Sequence, residues 1–78
     1  MLQQTTIIAY LDAIVSEGTF TQAAKSLYIS QPYLSKTITK LEDELQTKLV
    51  ERNRTPMELT YAGERFFTHM KKIQNQYE

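Results

Sequence analysis

Apolar residues recur every three or four positions near the start of the chain. This spacing matches the turn of an α-helix and predicts an amphipathic helix over about residues 5–16. Gly18 follows directly, and glycine is the residue that most readily adopts the left-handed conformation that ends a helix. The buried stripe predicted for this helix consists of Ile7, Leu11, Ile14 and Val15.

Two further helices are predicted from their capping residues. Thr19 and Gln22 match a capping box, so a short second helix is expected from there to about Tyr28. Ser30 is a favourable N-cap for a third helix, because its hydroxyl accepts a hydrogen bond from a free backbone N–H. The third helix is expected to end near Gln46, and its predicted buried stripe consists of Leu34, Ile38, Leu41 and Leu45.

After Gln46 the pattern changes to that of a small β-hairpin. Two short strand-like runs, residues 49–52 and 57–60, flank Asn53-Arg54-Thr55-Pro56, which has the composition of a turn. Thr60 then caps a last helix of about 17 residues. Its apolar positions fall four, three and four residues apart, which is the spacing of a coiled-coil seam, and they are Phe66, Met70, Ile73 and Tyr77.

The predicted fold is therefore mainly α. Residues 1–59 are expected to form a winged helix-turn-helix, with the hairpin as the wing, and residues 60–78 a linker helix. Arg52 is expected to pair with Glu42 or Glu51 and so to brace the wing on the third helix. The stripe of the linker helix either packs on its own domain or pairs with a second copy. Its seam-like spacing favours a homodimer, because four short elements leave little surface to cover a long helix.

The surface of the third helix opposite its buried stripe is polar. Since successive helical residues are about 100° apart, Lys36 lies nearly opposite the stripe. In a helix-turn-helix this helix enters the major groove, and its N-terminal residues meet base edges. The face suits DNA, because Gln31 matches an adenine edge and Lys36 matches guanine acceptors or phosphate. An ordinary solvated face is the alternative interpretation of the candidate residues Gln31, Pro32, Ser35, Lys36, Thr39 and Lys40.

The net charge of the chain is zero, from nine Lys and Arg against nine Asp and Glu. Many DNA-binding domains are strongly basic, so the distribution of charge has to support that function. Lys36 and Lys40 precede the acidic residues of the third helix, which places positive charge near its start. Arg54, at the predicted hairpin tip, is a candidate for the DNA minor groove or a solvated loop residue. A protein-interaction module without a DNA role is the competing hypothesis, with zero net charge as its best support.

Enzymatic chemistry finds little support in the sequence. The chain has no cysteine, which excludes disulfides, thiolate zinc sites and a thiol nucleophile, and which suits a cytoplasmic location. His69 is the only histidine, and there is no glycine-rich phosphate loop. Neither an enzyme nor a bound cofactor or metal is therefore expected. No apolar run approaches the roughly 18 residues that span a bilayer, so no membrane partner is expected.

Several blocks of the sequence together resemble a known family. Ser30-Gln31-Pro32, Leu41-Glu42 and Leu59-Thr60-Tyr61-Ala62-Gly63, at this spacing, are similar to the N-terminal DNA-binding domain of LysR-type bacterial transcriptional regulators. The resemblance implies a winged helix-turn-helix that binds interrupted palindromes in promoters as a dimer, through antiparallel linker helices. It also implies that a wing arginine enters the minor groove, and that the major groove is met by Gln31, Pro32, Ser35 and Lys36.

The sequence departs from the family pattern at several positions. Gln46 stands where glycine is usual, and Lys36 replaces a frequent arginine, which loses bidentate geometry toward guanine. Arg54 lies one position before the usual wing arginine, where this chain has Thr55. Tyr33 stands at a position that is often small, with a phosphate contact or simple packing as its two interpretations. The family normally continues into a larger domain, so a small-molecule effector is expected to bind only through a domain absent from this chain.

Overall fold

The computed structural model describes the backbone of residues 3–76 and the side chains of residues 3–74. The elements follow the predicted order and confirm a mainly α fold with a hairpin wing, although each strand has two residues rather than four. None of the helices within the described residues has the length and apolarity to cross a membrane. The elements are α1 (Gln4–Glu17), α2 (Phe20–Leu27), α3 (Gln31–Leu45), β1 (Val50–Glu51), β2 (Glu58–Leu59) and α4 (Tyr61–Gln76).

Local hydrogen bonds set the helix boundaries. Gly18 ends α1 with a φ of 83°, and its N–H donates to the carbonyl four residues earlier at 2.9 Å. The hydroxyls of Thr19, Ser30 and Thr60 accept backbone N–H groups at 3.1, 3.2 and 2.9 Å and so cap α2, α3 and α4. Gln46 ends α3 with a φ of 55°. The left-handed turn after α3 therefore forms without glycine.

The core is built around α1, which packs against α2, α4 and β2, and α2 packs in turn on α3. Two residues predicted to be buried are exposed, Val15 by 45% and Leu45 by 36%. Val15 borders an open groove between α1, β2 and α4. At the last turn of α3 the chain returns beside Glu42, so that this residue, and not Leu45, faces the protein. The core residues are Ile7, Leu11, Ile14, Ala23, Ala24, Leu34, Ile38, Leu41, Leu49, Val50, Met57 and Met70.

The linker helix α4 packs on its own domain through positions predicted to face a second copy. Met70 is only 7% exposed in the single chain, and Phe66 is half-buried against the core. Met70 therefore faces its own core rather than a seam, because α1 and β2 supply the surface that α4 covers. Ile73 is half-buried, and Tyr77 lies outside the described residues.

The wing is tied to the helices at both ends. The N–H of Met57 donates to the carbonyl oxygen of Gly18 at 2.7 Å. The N–H of Thr60 donates to the carbonyl oxygen of Leu49 at 2.9 Å. Gly63 lets α4 approach the same strand end, since a Cβ there would collide with the Leu49 carbonyl oxygen. These contacts fix the position of the wing relative to α1 and α4.

Candidate nucleic-acid interface

The N-terminal part of α3 presents an exposed polar face opposite a fully buried one. Leu34 and Ile38 are 0% and 1% exposed and hold the inner side of the helix in the core. Ser35 is half-buried at the margin of the outer side. The outer side is therefore free to contact a ligand, as the phase of the helix predicts. Its exposed members are Gln31, Pro32, Tyr33, Lys36, Thr39 and Lys40.

A tight turn between α2 and α3 positions this face. Ala23 and Ala24 are 0% and 2% exposed, and their small side chains allow the helices to pack closely. Tyr28 ends α2 in the left-handed conformation, with a φ of 59°. The N–H of Ile29 then donates to the carbonyl oxygen of Ala24 at 3.0 Å, which reverses the chain direction before α3. The arrangement is that of a helix-turn-helix, in which α3 is the second helix.

The start of α3 favours an anion. Ser30 caps the helix by accepting the N–H of Tyr33, and no acidic residue lies in the first turn. The unpaired N–H groups and the helix dipole give this end a positive potential, which is suited to phosphate. Pro32 lacks an N–H and therefore leaves no donor unsatisfied there. The first turn of α3 therefore has a positive potential, although the net charge of the chain is zero.

Tyr33 projects from the first turn of α3 beside Tyr10 of α1. Burial raises the pKa of Tyr10, and Tyr33 raises it further by charge repulsion and by a hydrogen bond. Tyr33 nevertheless keeps 50% of its surface exposed. Tyr33 therefore lies near Tyr10 and is also half exposed on the outer face, where it is available to a phosphate.

The basic residues of the candidate interface differ in their surroundings. Lys36 and Lys40 are exposed and, within residues 3–74, have no carboxylate within ion-pair distance. Arg54 lies in the wing turn, where its Nη1 is 3.1 Å from Oε2 of Glu58 and both side chains are more than half exposed. An exposed pair of this kind contributes only about 0–1 kcal/mol. Arg54 is therefore paired in the free protein but weakly held.

A buried carboxylate joins α3 to the wing. Glu42 is 2% exposed, and its Oε2 accepts the N–H groups of Leu49 and Val50 at 2.7 and 3.2 Å. Its Oε1 accepts a hydrogen bond from Arg52 at 3.0 Å. Burial alone would raise the pKa of Glu42, but these hydrogen bonds and the Arg52 charge together lower it. The prediction that Arg52 pairs with Glu42 or Glu51 is confirmed for Glu42.

Arg52 makes two further contacts that the sequence did not indicate. Its guanidinium carbon lies 4.8 Å from the centre of the Phe20 ring, at the start of α2. Its Nη2 also donates to Oγ1 of Thr39 at 3.1 Å, on the outer face of α3. These partners are 32 and 13 residues away in the chain, so no local pattern reveals them. Arg52 therefore joins the wing to α2 and to α3.

Comparison with known proteins relates this geometry to a family. Residues 6–64 match the family described as "Bacterial regulatory helix-turn-helix protein, lysR family". A probable RuBisCO transcriptional regulator of Cyanidioschyzon merolae is 48% identical over 61 residues, which are 78% of this chain and 20% of that protein. The transcriptional regulator BenM of Acinetobacter baylyi is 41% identical over 66 residues, 85% of this chain and 22% of BenM. The chain thus spans about a fifth of each of these two relatives.

The fold agrees with a solved complex. The crystal structure of the BenM DNA-binding domain with catB site 1 DNA superposes with a TM-score of 0.82. It is 36% identical and covers 97% of this chain and 81% of that one. The exposed face of α3, the wing and the linker helix therefore occur here in an architecture that has been observed with DNA. The chain belongs to the lysR family of bacterial regulatory helix-turn-helix proteins.

Proposed function

We propose that the chain binds double-stranded promoter DNA sequence-specifically, with the N-terminal part of α3 in the major groove. The observation that carries this proposal is the exposed polar face of α3, which follows directly after the N-cap at Ser30. Gln31 is suited to a paired contact with adenine, and Lys36 to guanine or phosphate. Bacterial promoters lie in the cytoplasm, so this function belongs there. The chain acts by binding and not by catalysis.

The wing has a secondary role in this proposal. Arg54 is exposed and its ion pair with Glu58 is weak, so phosphate or a narrow minor groove can replace the carboxylate as its partner. Thr55 stands at the position where related domains usually have the wing arginine. Arg54 is therefore proposed to contact DNA one residue earlier in the turn.

A homodimer is the proposed binding form, because an interrupted palindrome is matched by a two-fold symmetric protein. The linker helix α4, within residues 60–78, is proposed to join the two copies in antiparallel orientation. Met70 and Phe66 already pack against the core of their own chain. Ile73 and the end of the helix are therefore proposed to make more of the contact between the two copies. Binding of a small-molecule effector is assigned to a domain outside this chain.

The test of DNA binding is enrichment from a random double-stranded library, followed by titration of the selected duplex at several salt concentrations. The proposal requires a preferred sequence and an affinity that falls as salt rises, because phosphate contacts release counterions. Equal affinity for all duplexes, without salt dependence, would favour the protein-interaction module instead.

The test of the dimer is Ile73→Asp, which places a charge in the proposed apolar contact. We expect sedimentation velocity to show a monomer, because an unpaired buried charge is strongly unfavourable. Thr68→Asp, on the exposed side of the same helix, adds the same charge and should leave the dimer intact. A dimer that survives Ile73→Asp, with circular dichroism showing both variants folded, would contradict the role of α4.

A further inference from the structure

One nitrogen of Arg52 bridges the buried carboxylate of Glu42 and the exposed face of α3. Its Nη2 donates to Oε1 of Glu42 at 3.0 Å and to Oγ1 of Thr39 at 3.1 Å. A guanidinium Nη atom carries two hydrogens, so this pair of contacts uses both. Both N–H groups of Nη2 are thus engaged, and this nitrogen cannot donate to a third partner.

The position of this nitrogen is held from several sides. Glu42 is fixed by the N–H groups of Leu49 and Val50 at the start of the wing. The ring of Phe20 lies against the guanidinium group. Arginine also stays protonated at all relevant pH values. Arg52 is therefore a permanent and oriented donor to the Thr39 hydroxyl.

This donor decides what the Thr39 hydroxyl can do. A hydroxyl has one hydrogen to donate and two lone pairs to accept. Within a helix, Ser and Thr often donate that hydrogen to a carbonyl one turn earlier, as Ser26 does to Ala23 at 2.9 Å. Thr39 makes no such bond within residues 3–74, and its side chain is exposed. One of its two lone pairs is engaged by Arg52, and its hydrogen remains available to solvent or to a ligand.

On the basis of the proposed DNA binding, we propose that Arg52 is a positioning residue that orients Thr39 as a hydrogen-bond donor to DNA. The partner of Thr39 is then an acceptor, either a phosphate oxygen or a base-edge acceptor such as guanine O6 or N7, thymine O4 or adenine N7. An amino group of cytosine or adenine could be accepted only by the second lone pair of the hydroxyl, so an acceptor is the favoured partner. Arg52 thereby affects DNA binding without itself reaching the DNA.

The first test is Thr39→Val, which removes the hydroxyl and keeps the shape and branching of the side chain. We expect the affinity for the selected duplex to fall about tenfold, as for the loss of one hydrogen bond to a charged or desolvated partner. Thr39→Ser keeps the donor and is the matched control, expected within about twofold. If wild type binds the duplex and Thr39→Val binds equally well, this inference fails while DNA binding stands. If wild type selects no sequence, both proposals fail.

A second test identifies the acceptor. Methylphosphonate linkages remove phosphate charge one position at a time. Among the bases, 7-deazapurines remove N7, 2-aminopurine removes guanine O6, and 5-methyl-2-pyrimidinone removes thymine O4. One of these changes should weaken wild-type binding several-fold and cost nothing further in Thr39→Val. If a methylphosphonate shows this behaviour, Thr39 contacts a phosphate of the DNA backbone. If a base analogue shows it, Thr39 contacts a base and contributes to sequence recognition. If no modification has an effect that depends on Thr39, the inference is overturned.

A third test separates positioning by Arg52 from support of the fold. Arg52→Met is compared in wild type and in Thr39→Val, with the binding-competent fraction of each sample counted by stoichiometric titration. If Arg52 acts through Thr39, its replacement weakens binding several-fold in wild type and much less in the Thr39→Val background. The same loss in both backgrounds would show that Arg52 supports only the fold. Should Arg52→Met not fold, the DNA modifications with Thr39→Val still test the donor role of Thr39, and Arg52→Lys, which keeps the charge beside Glu42, repeats the comparison for Arg52.

Discussion

The two ends of α3 use polar residues in opposite ways. At the N-terminal end, Lys36 and Lys40 are exposed and have no ion-pair partner within residues 3–74. At the C-terminal end, Glu42 is 2% exposed and accepts three hydrogen bonds, from Arg52, Leu49 and Val50. Unpaired groups are available to a ligand, whereas paired and buried groups are committed to holding the wing. One helix therefore divides into a binding half and a structural half.

The difference has a physical basis. A buried carboxylate without partners would be strongly unfavourable, so Glu42 is tolerated only because its oxygens are hydrogen-bonded. Exposed lysines pay no such desolvation cost and need no partner in the free protein. Substitutions at the two ends should consequently separate into effects on stability and effects on DNA binding.

The largest expected effect is that of Glu42→Ala. The change leaves two backbone N–H groups of the wing and the Arg52 guanidinium without their acceptor, and we expect a loss of about 3 kcal/mol in the free energy of unfolding. Urea denaturation monitored by circular dichroism measures it. Glu44→Ala, an exposed residue of the same helix, is the control and should change stability by less than about 0.5 kcal/mol. Equal stability of the two variants would contradict the structural role of this end of α3.

The same carboxylate should make the stability pH-dependent. Hydrogen bonds and the Arg52 charge lower the pKa of Glu42 in the folded chain below its ordinary value of 4.5, despite burial. Its contribution is therefore fully present above about pH 4.5 and is lost as pH falls through the folded pKa. Urea midpoints measured from pH 7 downward should fall in acid for wild type and fall less for Glu42→Gln. Parallel pH profiles for both proteins would show that other groups control the acid response.

The smallest expected effect on stability is at the binding end. Lys36→Ala should change the free energy of unfolding by less than about 0.5 kcal/mol, because the side chain is exposed. It should weaken binding of the selected duplex and, for a phosphate contact, lower the salt slope by about one. Lys72→Ala, on α4, removes the same charge elsewhere and is the matched control. A Lys36→Ala variant that is destabilised yet binds normally would contradict the assignment of the N-terminal end of α3 to DNA binding.

Much of the candidate site was accessible to sequence reasoning, because a helix converts spacing into direction. The buried positions of Leu34 and Ile38 follow from their separation, and the outer position of Lys36 follows with them. The caps at Thr19 and Ser30 were predicted for the same reason, since each involves residues three apart. Local geometry is enough wherever both partners lie within one turn.

The errors lie where an element meets another element. Leu45 continued the apolar spacing of α3, yet the wing packs beside Glu42 and leaves Leu45 exposed. The spacing of Met70 left two partners open, its own domain or a second copy, and the structure buries Met70 in the core of its own chain. Periodicity states which residues share a face, but it does not state what covers that face.

The amino-acid pattern by itself determined the order of the elements, the ends of the helices and the polar side of α3, because these depend on residues a few positions apart. Only the tertiary structure decided between Glu42 and Glu51 as the partner of Arg52, and only it showed that Arg52 also reaches Thr39. The same holds for the Leu49 carbonyl, which leaves Gly63 no room for a Cβ. Such contacts join residues from distant parts of the chain, and their geometry exists only after the helices and the wing have packed together.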